Sequence, residues 1–218
     1  MDFELPPHDD PRRLAVLAWL DEHPAPTGRQ LAEAGYVAPH WPRPWGLDAD
    51  PIHQILLDEE LAAAGVSRPS NTIGIGWAGP TILHGGTQAQ KDRYLTPLLA
   101  GEEIWCQLFS EPGSGSDLAS LSTRAVRDGD EWVVTGQKIW TSLAQFSKFG
   151  ILIARTEPDA PKHEGISYFI CPMEAPGIDI RPIIEMTGVH LFNEVFLDEV
   201  RLPAENLVGD VNRGWGLA

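Results

Sequence analysis

The stretch that decides the fold is residues 107–117, with the sequence QLFSEPGSGSD. It leaves a predicted strand and enters a loop rich in glycine and serine before the next strand begins. Glycine lets the backbone approach a bound group closely, and exposed N–H groups and hydroxyls can then contact a flat polar ring or a phosphate. The same composition is also typical of an ordinary surface loop. The rest of the chain therefore has to decide between the two interpretations.

A second segment with binding chemistry is residues 136–142, with the sequence GQKIWTS. It places Trp140 directly before two hydroxyl residues at the end of a predicted strand. A tryptophan can cover one face of a ring system while a neighbouring hydroxyl donates to a ring nitrogen, although a lone tryptophan is more typical of a buried core. If both segments bind one ligand, we expect Ser110 and Trp140 to meet at one edge of the sheet.

Upstream of these segments the chain is predicted to be helical as far as about residue 104. Asp10-Pro11 places a capping carboxylate before a proline at the first helical position, and Leu14, Leu17 and Ala18 form the predicted apolar stripe. Two further helices are predicted, one from Asp50-Pro51 through Ile52, Ile55, Leu56, Leu57 and Leu61 to a stop at Gly65, and one from the capping box formed by Thr87 and Gln90.

Downstream of Ile104 the apolar period becomes two, which is typical of strands. Residues 123–127 and 131–134 flank Asp128-Gly129, a pattern that predicts a hairpin with a type I′ turn. Further strands are predicted at 138–141, 149–155, 166–171, 178–183 and 194–197. Helices first and strands second indicate an α+β fold. We expect an N-terminal helical domain over 1–104, an antiparallel β-barrel or sandwich over 105–212, and the start of a further helix at 213–218.

Composition excludes several classes of function. The 218 residues carry a net charge of −15 and no basic stripe, which argues against nucleic-acid binding. No apolar run is long enough to span a membrane, and the acidic start, with Asp2 and Glu4, resembles no leader peptide. Cys106 and Cys171 stand in no metal or disulfide pattern. We therefore expect a cytoplasmic protein with two reduced thiols and no metal.

Residues 74–79, with the sequence GIGWAG, match the spacing of a dinucleotide fingerprint. That fingerprint requires a strand before it and a helix after it inside a βαβ unit. Here the segment lies in the helical half, so we interpret its glycines as helix-packing positions and do not predict nicotinamide binding.

Together these segments resemble the acyl-CoA dehydrogenase family. Residues 109–117 look like the signature of that family, with Leu108 in place of the small residue usual at its first position. Residues 138–142 fall where the family has its second flavin segment. Other family-like segments follow in the family's order, at 86–91, 94–97, 165–169, 193–203 and 206–209. Several ordered matches over nearly the whole chain carry the resemblance.

The resemblance implies a flavin-dependent reaction. In this family FAD lies between a β-domain and helices, a base removes the α-proton of an acyl-CoA, and the β-hydrogen passes as hydride to flavin N5 to give a trans-2-enoyl-CoA. It also implies an electron-transferring flavoprotein as acceptor and a homo- or hetero-oligomer. Residues 138–142 and 193–196 resemble bacterial members that act on branched, steroid-derived or other bulky acyl-CoAs.

The resemblance also assigns residues to the cofactor. The residues expected to line or approach FAD are Gln107, Phe109, Ser110, Gly115, Ser116, Trp140 and Ser142. Ser110 is the expected polar partner of the ring, Trp140 flanks it, and Ser142 stands where a threonine near N5 is common. The backbone of Ser116 is expected to face the CoA portion as well.

The family places its catalytic base in a C-terminal helical bundle, which we expect to be missing from these 218 residues, so no catalytic residue is predicted. Of the nearby carboxylates, Glu111 and Asp117 are expected to brace the loop, Glu194 lies in a strand and Glu185 in a connector. Two rival interpretations remain open. One is an acyl-CoA oxidase or flavin monooxygenase with the same two domains, and the other is a non-catalytic or truncated subunit that binds a partner.

Overall fold

The computed structural model describes residues 5–218, and the chain forms two compact units. The helical unit comprises Met1–Asn71 and Arg93–Glu102, and the sheet unit comprises Thr72–Asp92 and Glu103–Ala218.

The expectation that the chain has no leader peptide rests partly on residues 1–4, which lie outside the described residues. None of the helices in the described part of the chain has the length and hydropathy that a bilayer crossing requires.

The three helices whose starts the sequence predicts begin at the predicted positions, whereas the starts at Gly28 and Gly79 were not predicted. The Asp10 side chain accepts from the backbone N–H of Arg12, and the Asp50 side chain accepts from that of His53. Gly65 follows the second of these helices with a φ of 69°, a conformation that glycine adopts without strain. The α-helices are α1 Pro11–Glu22, α2 Gly28–Glu33, α3 Pro51–Ala63, α4 Gly79–Gly85 and α5 Gln88–Leu99.

The predicted apolar stripe of α1 is wrong. Leu14 and Leu17 are 50% and 41% exposed, and the buried face of α1 consists of Arg13, Val16 and Leu20. Arg13 is only 5% exposed because its guanidinium pairs with the carboxylates of Glu59 and Glu60 on α3. Similarly, Ile52 and Ile55 of α3 are exposed, whereas Leu56, Leu57 and Leu61 are buried as predicted. Both faces of α1 satisfy helical spacing, and the ion pairs to α3 decide which one is buried.

The segment 74–79 is helical, as predicted. Gly74–Ala78 forms a short π-helix that runs directly into α4, and no strand precedes it within residues 5–73. Gly74 and Gly79 are buried, which agrees with a packing role, but nothing lies within 4 Å of the position that a Cβ would take at Gly76.

Thr87 and Gln90 form the predicted capping box at the start of α5, since each side chain accepts from the other residue's backbone N–H.

Eight strands form one sheet, in the order β6-β7-β3-β2-β4-β5-β8, and β1 pairs with β4. Most pairs are antiparallel, as predicted. The exceptions are β1 with β4 and a single pairing of Arg124 on β2 with Arg155 on β4. The strands are β1 Trp105–Leu108, β2 Arg124–Asp128, β3 Glu131–Ser142, β4 Phe149–Arg155, β5 Ile166–Pro172, β6 Ile178–Pro182, β7 Phe192–Pro203 and β8 Leu207–Val208.

The hairpin of β2 and β3 forms, but its turn differs from the prediction. Asp128 pairs with Glu131, so the two loop residues are Gly129 and Asp130. Gly129 has a φ of 58°, and Asp130 is not among the described residues with positive φ. A single positive φ at the first loop residue is typical of a type II′ turn, so the predicted type I′ turn is wrong. Two predicted strands, 131–134 and 138–141, are parts of the one long strand β3.

The sheet unit contains its own apolar core. Its buried cluster includes Leu108, Trp132, Leu152, Phe169 and Val195, from five different strands. The ring of Trp132 meets that of Phe169 edge-on, with centroids 5.5 Å apart. Both cysteines are free and buried in the same cluster. Burial raises the pKa of the Cys106 thiol to about 12, so this thiol is unreactive at neutral pH.

Candidate functional site

The two binding segments lie side by side, as predicted. The backbone N–H of Ile139 donates to the carbonyl oxygen of Ser110 at 2.9 Å. Ile139 directly precedes Trp140 on β3, and Ser110 follows the end of β1 by two residues. One hydrogen bond therefore brings the glycine- and serine-rich loop to the strand end that carries Trp140.

A buried lysine strengthens this junction. The ammonium of Lys138 donates to the carbonyl oxygens of Phe109 and Ile153, each at 3.0 Å, and to Oε1 of Glu111 at 2.9 Å. The Lys138 side chain is completely buried. A lysine ammonium has three protons, so all of its donors are used. Burial lowers the pKa of Lys138 to about 8, against the raising effect of the Glu111 charge.

Glu111 is the acceptor that anchors the start of the loop. It is 5% exposed, and besides Lys138 it accepts from the N–H and hydroxyl of Ser122, each at 2.7 Å, and from the N–H of Thr123 at 2.9 Å. Burial by itself raises the pKa of Glu111. The Lys138 charge and these hydrogen bonds outweigh burial and bring the pKa to about 2. Glu111 is therefore ionised and fully engaged at neutral pH, which agrees with the predicted bracing role.

The far end of the loop is open. Asp117 forms an ion pair with Lys162, and their side chains are 62% and 47% exposed. The hydroxyl of Ser114 donates to the carbonyl oxygen of Asp117 at 2.8 Å and so closes the loop on itself. Gly115 and Ser116 are exposed, and nothing lies within 4 Å of the position that a Cβ would take at Gly115. Asp117 also braces the loop, but from its surface.

Trp140 is presented outward by a distorted strand. The pairing of β3 with β7 shifts register between Lys138 and Thr141, and Trp140 lies in that bulge with a φ of 60°. A positive φ is rare for a bulky residue, and bulges commonly redirect a side chain. The indole is 58% exposed and meets Phe192 edge-on, at 6.1 Å between centroids. On the same strand Trp132 is only 5% exposed, so burial distinguishes the two tryptophans.

A buried polar pair joins β3 to β7 at the residue that follows Trp140. Thr141 is 1% exposed, and its carbonyl oxygen accepts from Nδ2 of Asn193 at 3.0 Å. Asn193 also donates to Oε1 of Gln145 at 2.6 Å. Thr141 Oγ1 and Asn193 Oδ1 have no hydrogen-bond partner within residues 5–218. Ser142, the residue predicted to contact the flavin, follows Thr141 and is half-buried.

The structure gathers most of the predicted cofactor residues on one edge of the sheet unit. Gln107 is half-buried on β1, and Phe109 is 8% exposed with its ring edge-on to Tyr168 at 5.9 Å. Phe109, Ser110, Trp140 and Ser142 belong to the two segments joined by the Ser110–Ile139 hydrogen bond. Gly115 and Ser116 lie on the exposed far end of the loop.

The sequence did not predict Lys138 as a site residue, because its hydrogen-bond partners are 15 to 29 positions away along the chain.

Both parts of the chain match one family. The N-terminal domain of acyl-CoA dehydrogenases matches residues 11–102, and the middle domain matches residues 106–200. The chain belongs to the acyl-CoA dehydrogenase family. Acyl-CoA dehydrogenases are flavoprotein oxidoreductases of lipid metabolism, and this membership confirms the α+β fold predicted from the sequence.

This chain spans only part of the length of the individual acyl-CoA dehydrogenases that it matches. It is 58% identical over 188 residues to acyl-CoA dehydrogenase FadE34 of Mycobacterium tuberculosis, covering 86% of this chain and 26% of that protein. It matches the structure of the Tcur3481-Tcur3483 steroid ACAD with a TM-score of 0.77 and 34% identity, covering 100% of this chain and 61% of that chain. The ChsE4-ChsE5 complex from M. tuberculosis gives a TM-score of 0.77 and 34% identity, with coverages of 100% and 60%.

The surface at this edge fits the flavin that acyl-CoA dehydrogenases use. The exposed indole of Trp140 offers a flat apolar face, and the half-buried Ser142 lies two residues away. No atom lies within 4 Å of the positions that a Cβ would take at Gly113 and Gly115, so the loop backbone is open to close approach. Backbone N–H groups presented in this way suit a pyrophosphate.

Proposed function

We propose that this chain supplies the flavin- and substrate-facing wall of an enzyme that dehydrogenates an acyl-CoA to a trans-2-enoyl-CoA. The observation that carries the proposal is the hydrogen bond between Ile139 and Ser110, which joins the two segments that family membership links to FAD. In this proposal the domains follow the boundaries 1–104, 105–212 and 213–218.

The proposed roles follow from the position and exposure of each residue. Trp140 flanks the isoalloxazine ring, and Ser142 donates to the ring on the same side of β3. Phe109 and Ser110 approach the ring from the neighbouring segment. The remaining proposed cofactor contacts are Gln107 on β1 and Gly115 and Ser116 on the open loop, with the Ser116 backbone also facing CoA.

When bound at this wall, FAD would supply the acceptor for the hydride that leaves the β-carbon of the acyl group. This chain contributes hydrogen-bond donors held in fixed positions, which stabilise the electron density that develops on the ring without reorganising during the reaction. The exposed apolar face of Trp140 keeps water from that side of the ring. Because Phe109 is already buried in the sheet unit, its contribution requires no ordering on binding.

We propose that the base is not among the carboxylates of this wall. A general base requires a pKa near the working pH and a free oxygen aimed at the α-proton. Glu111 has a pKa of about 2 and four hydrogen bonds. The pKa of Asp117 is lowered by hydrogen bonds from Lys162 and Ser120. Glu194 accepts from the Gln137 side chain at 3.3 Å within the sheet.

The substrate class and the partners are also proposed. Likeness to a protein described as a steroid ACAD supports a bulky, steroid-derived or branched acyl-CoA. Likeness to the ChsE4-ChsE5 complex supports assembly into an oligomer. An electron-transferring flavoprotein is the proposed electron acceptor. The two free cysteines support a cytoplasmic location, where thiols stay reduced.

Anaerobic flavin bleaching tests this function. The 218-residue chain is mixed with FAD and a panel of linear, branched and steroid-derived acyl-CoAs, and flavin absorbance is followed. We expect slow bleaching, because none of the carboxylates of this wall is proposed as the base and loss of general-base catalysis lowers α-proton removal by about 10²–10⁴-fold. Rapid bleaching would place a base within these residues, and absence of any FAD binding would remove the proposed role of the wall. Repeating the assay with oxygen distinguishes a dehydrogenase from an oxidase.

A further inference from the structure

We propose that Lys138 and Glu111 are positioning residues of the flavin site, which together set the spacing between residues 109–110 and Trp140. This inference rests on the proposed flavin-binding function. Neither side chain faces the cofactor in the proposal, since Lys138 is completely buried and Glu111 is 5% exposed. Both act through the backbone of the residues that do.

Lys138 joins several segments of the sheet unit. Its ammonium is bonded to the signature loop at Phe109 and Glu111 and to the central strand β4 at Ile153. Glu111 in turn is bonded to Ser122 and Thr123, just before β2. One buried pair therefore connects the signature loop to β3, to β4 and to the residues just before β2.

The bonds to the signature loop come from consecutive residues of β3. Phe109 and Glu111 are held by Lys138, and Ser110 between them is held by the backbone of Ile139. Three consecutive loop residues are thus fixed to two consecutive strand residues, and the next strand residue is Trp140 in its bulge. Functional groups must be held within about 0.5 Å of the productive geometry. Bonds at three successive positions supply that restraint at this junction.

The stability of the fold alone does not require an ion pair at this position. Burying two charges costs desolvation free energy, and replacing a buried pair by uncharged groups of similar size is often neutral or stabilising. A fully satisfied buried pair does, however, supply directional bonds that apolar packing lacks. The geometry therefore favours a positioning role over a purely stabilising one.

A double variant separates positioning from stability. Lys138→Met with Glu111→Gln removes both charges, and the amide oxygen of the introduced glutamine can still accept from Ser122 and Thr123. Lys148→Met is the matched control, because Lys148 pairs with Glu174 on the surface, where the side chains are 46% and 75% exposed. For each variant we would measure urea unfolding, the FAD dissociation constant, the visible spectrum of bound flavin and hydrogen exchange at the Ile139 amide.

We expect the double variant to unfold near the wild-type midpoint but to bind FAD about tenfold more weakly, with a shifted flavin spectrum and faster exchange at Ile139. The control should match wild type in all four measurements. Wild-type FAD affinity, spectrum and Ile139 protection in the double variant would overturn the inference. If the double variant does not fold, Glu111→Asp replaces it, because it keeps the charge but withdraws the carboxylate, and the same three readouts decide.

The exchange measurement needs no cofactor, so the two proposals can fail separately. If wild type binds no FAD, the proposed function fails, while Ile139 exchange in the same variants still reports whether the pair positions the loop. If wild type binds FAD and the double variant is unchanged in affinity and exchange, only the positioning role fails.

Discussion

The two ends of the signature loop, residues 109–117, are each held by an ion pair, one of them buried and the other exposed. At the first end Lys138 and Glu111 are buried, and every lysine proton has an acceptor. At the far end Lys162 and Asp117 are about half exposed. The chemical groups are the same, since each pair joins a lysine ammonium to a loop carboxylate. Only their environments differ.

This difference separates a fixed part of the site from an adaptable one. A buried charge that loses its partner is strongly destabilising, whereas an exposed ion pair contributes about 0–1 kcal/mol. The first end is therefore as rigid as the sheet to which it is bonded. The far end, which carries Gly115 and Ser116, is restrained weakly and can adjust to a ligand. Fixed ring contacts and an adaptable phosphate loop are consistent with the proposed flavin site.

The largest expected effect compares the two lysines directly. Lys138→Met should lower the free energy of unfolding by about 3–5 kcal/mol, because it leaves Glu111 charged, buried and without its cation. Lys162→Met should lower it by at most about 1 kcal/mol. Urea unfolding of both variants measures the difference. Equal losses would show that burial does not distinguish the two ends.

The next largest expected effect is a loss of folding stability at low pH. The pKa of Glu111 is lowered from 4.5 to about 2 in the folded chain. A group with a depressed folded-state pKa stabilises the fold above its unfolded pKa, and that contribution is lost as the pH falls from about 4.5 towards 2. Glu111 should contribute on the order of 3 kcal/mol across this range.

Unfolding free energies measured between about pH 5 and pH 2 test this expectation. The slope with pH should be shallower in Glu111→Gln than in wild type, because the variant lacks the titrating group. Asp117→Asn is the matched control at the exposed end and should change the slope less than Glu111→Gln does, because the pKa of Asp117 is also lowered but its ion pair is screened by solvent. Parallel slopes for wild type and Glu111→Gln would contradict the assigned pKa.

The third effect extends the comparison to the two tryptophans of β3. Trp140→Ala should weaken FAD retention by on the order of 1–3 kcal/mol, because it removes the exposed indole that is proposed to contact the ring. Trp132→Ala removes a core side chain that packs on Phe169. It should lower stability while leaving the FAD affinity of the folded fraction unchanged. Equal flavin loss in both variants, compared under conditions where both are folded, would remove the role given to Trp140.

The smallest expected effect is at the far end of the loop. Gly115→Ala adds a methyl group to an exposed position with no atom within 4 Å. Its unfolding free energy should change by no more than about 0.5 kcal/mol, while FAD affinity falls because the loop backbone can no longer approach the cofactor as closely. Gly188→Ala is not a suitable control, because Gly188 has a positive φ. Gly216→Ala, with equally open space, is suitable. Unchanged FAD binding in Gly115→Ala would show that this end does not contact the cofactor.

Local chemistry let the sequence determine the starts of three helices and the positions of most strands. Asp10 and Asp50 cap helices through their own side chains, and Thr87 and Gln90 bond each other three residues apart, so these starts are visible in a short window of sequence. Strand β4 was predicted at its observed bounds, because a run of apolar and β-branched residues buried on both faces leaves a clear pattern. The ordered motifs likewise identified the family and the two segments that meet at Ser110 and Ile139.

Only the tertiary structure decided what depends on distant partners. The buried face of α1 was chosen by carboxylates of α3 some 46 positions away, which let Arg13 rather than Leu14 point inward. The outward position of Trp140 was set by a register shift against β7, since a bulge depends on the partner strand. The Lys138–Glu111 pair joins residues 27 positions apart. No local pattern marks such a pair, because a lysine in a strand is expected at the surface until the sheet closes around it and leaves its ammonium with protein acceptors alone.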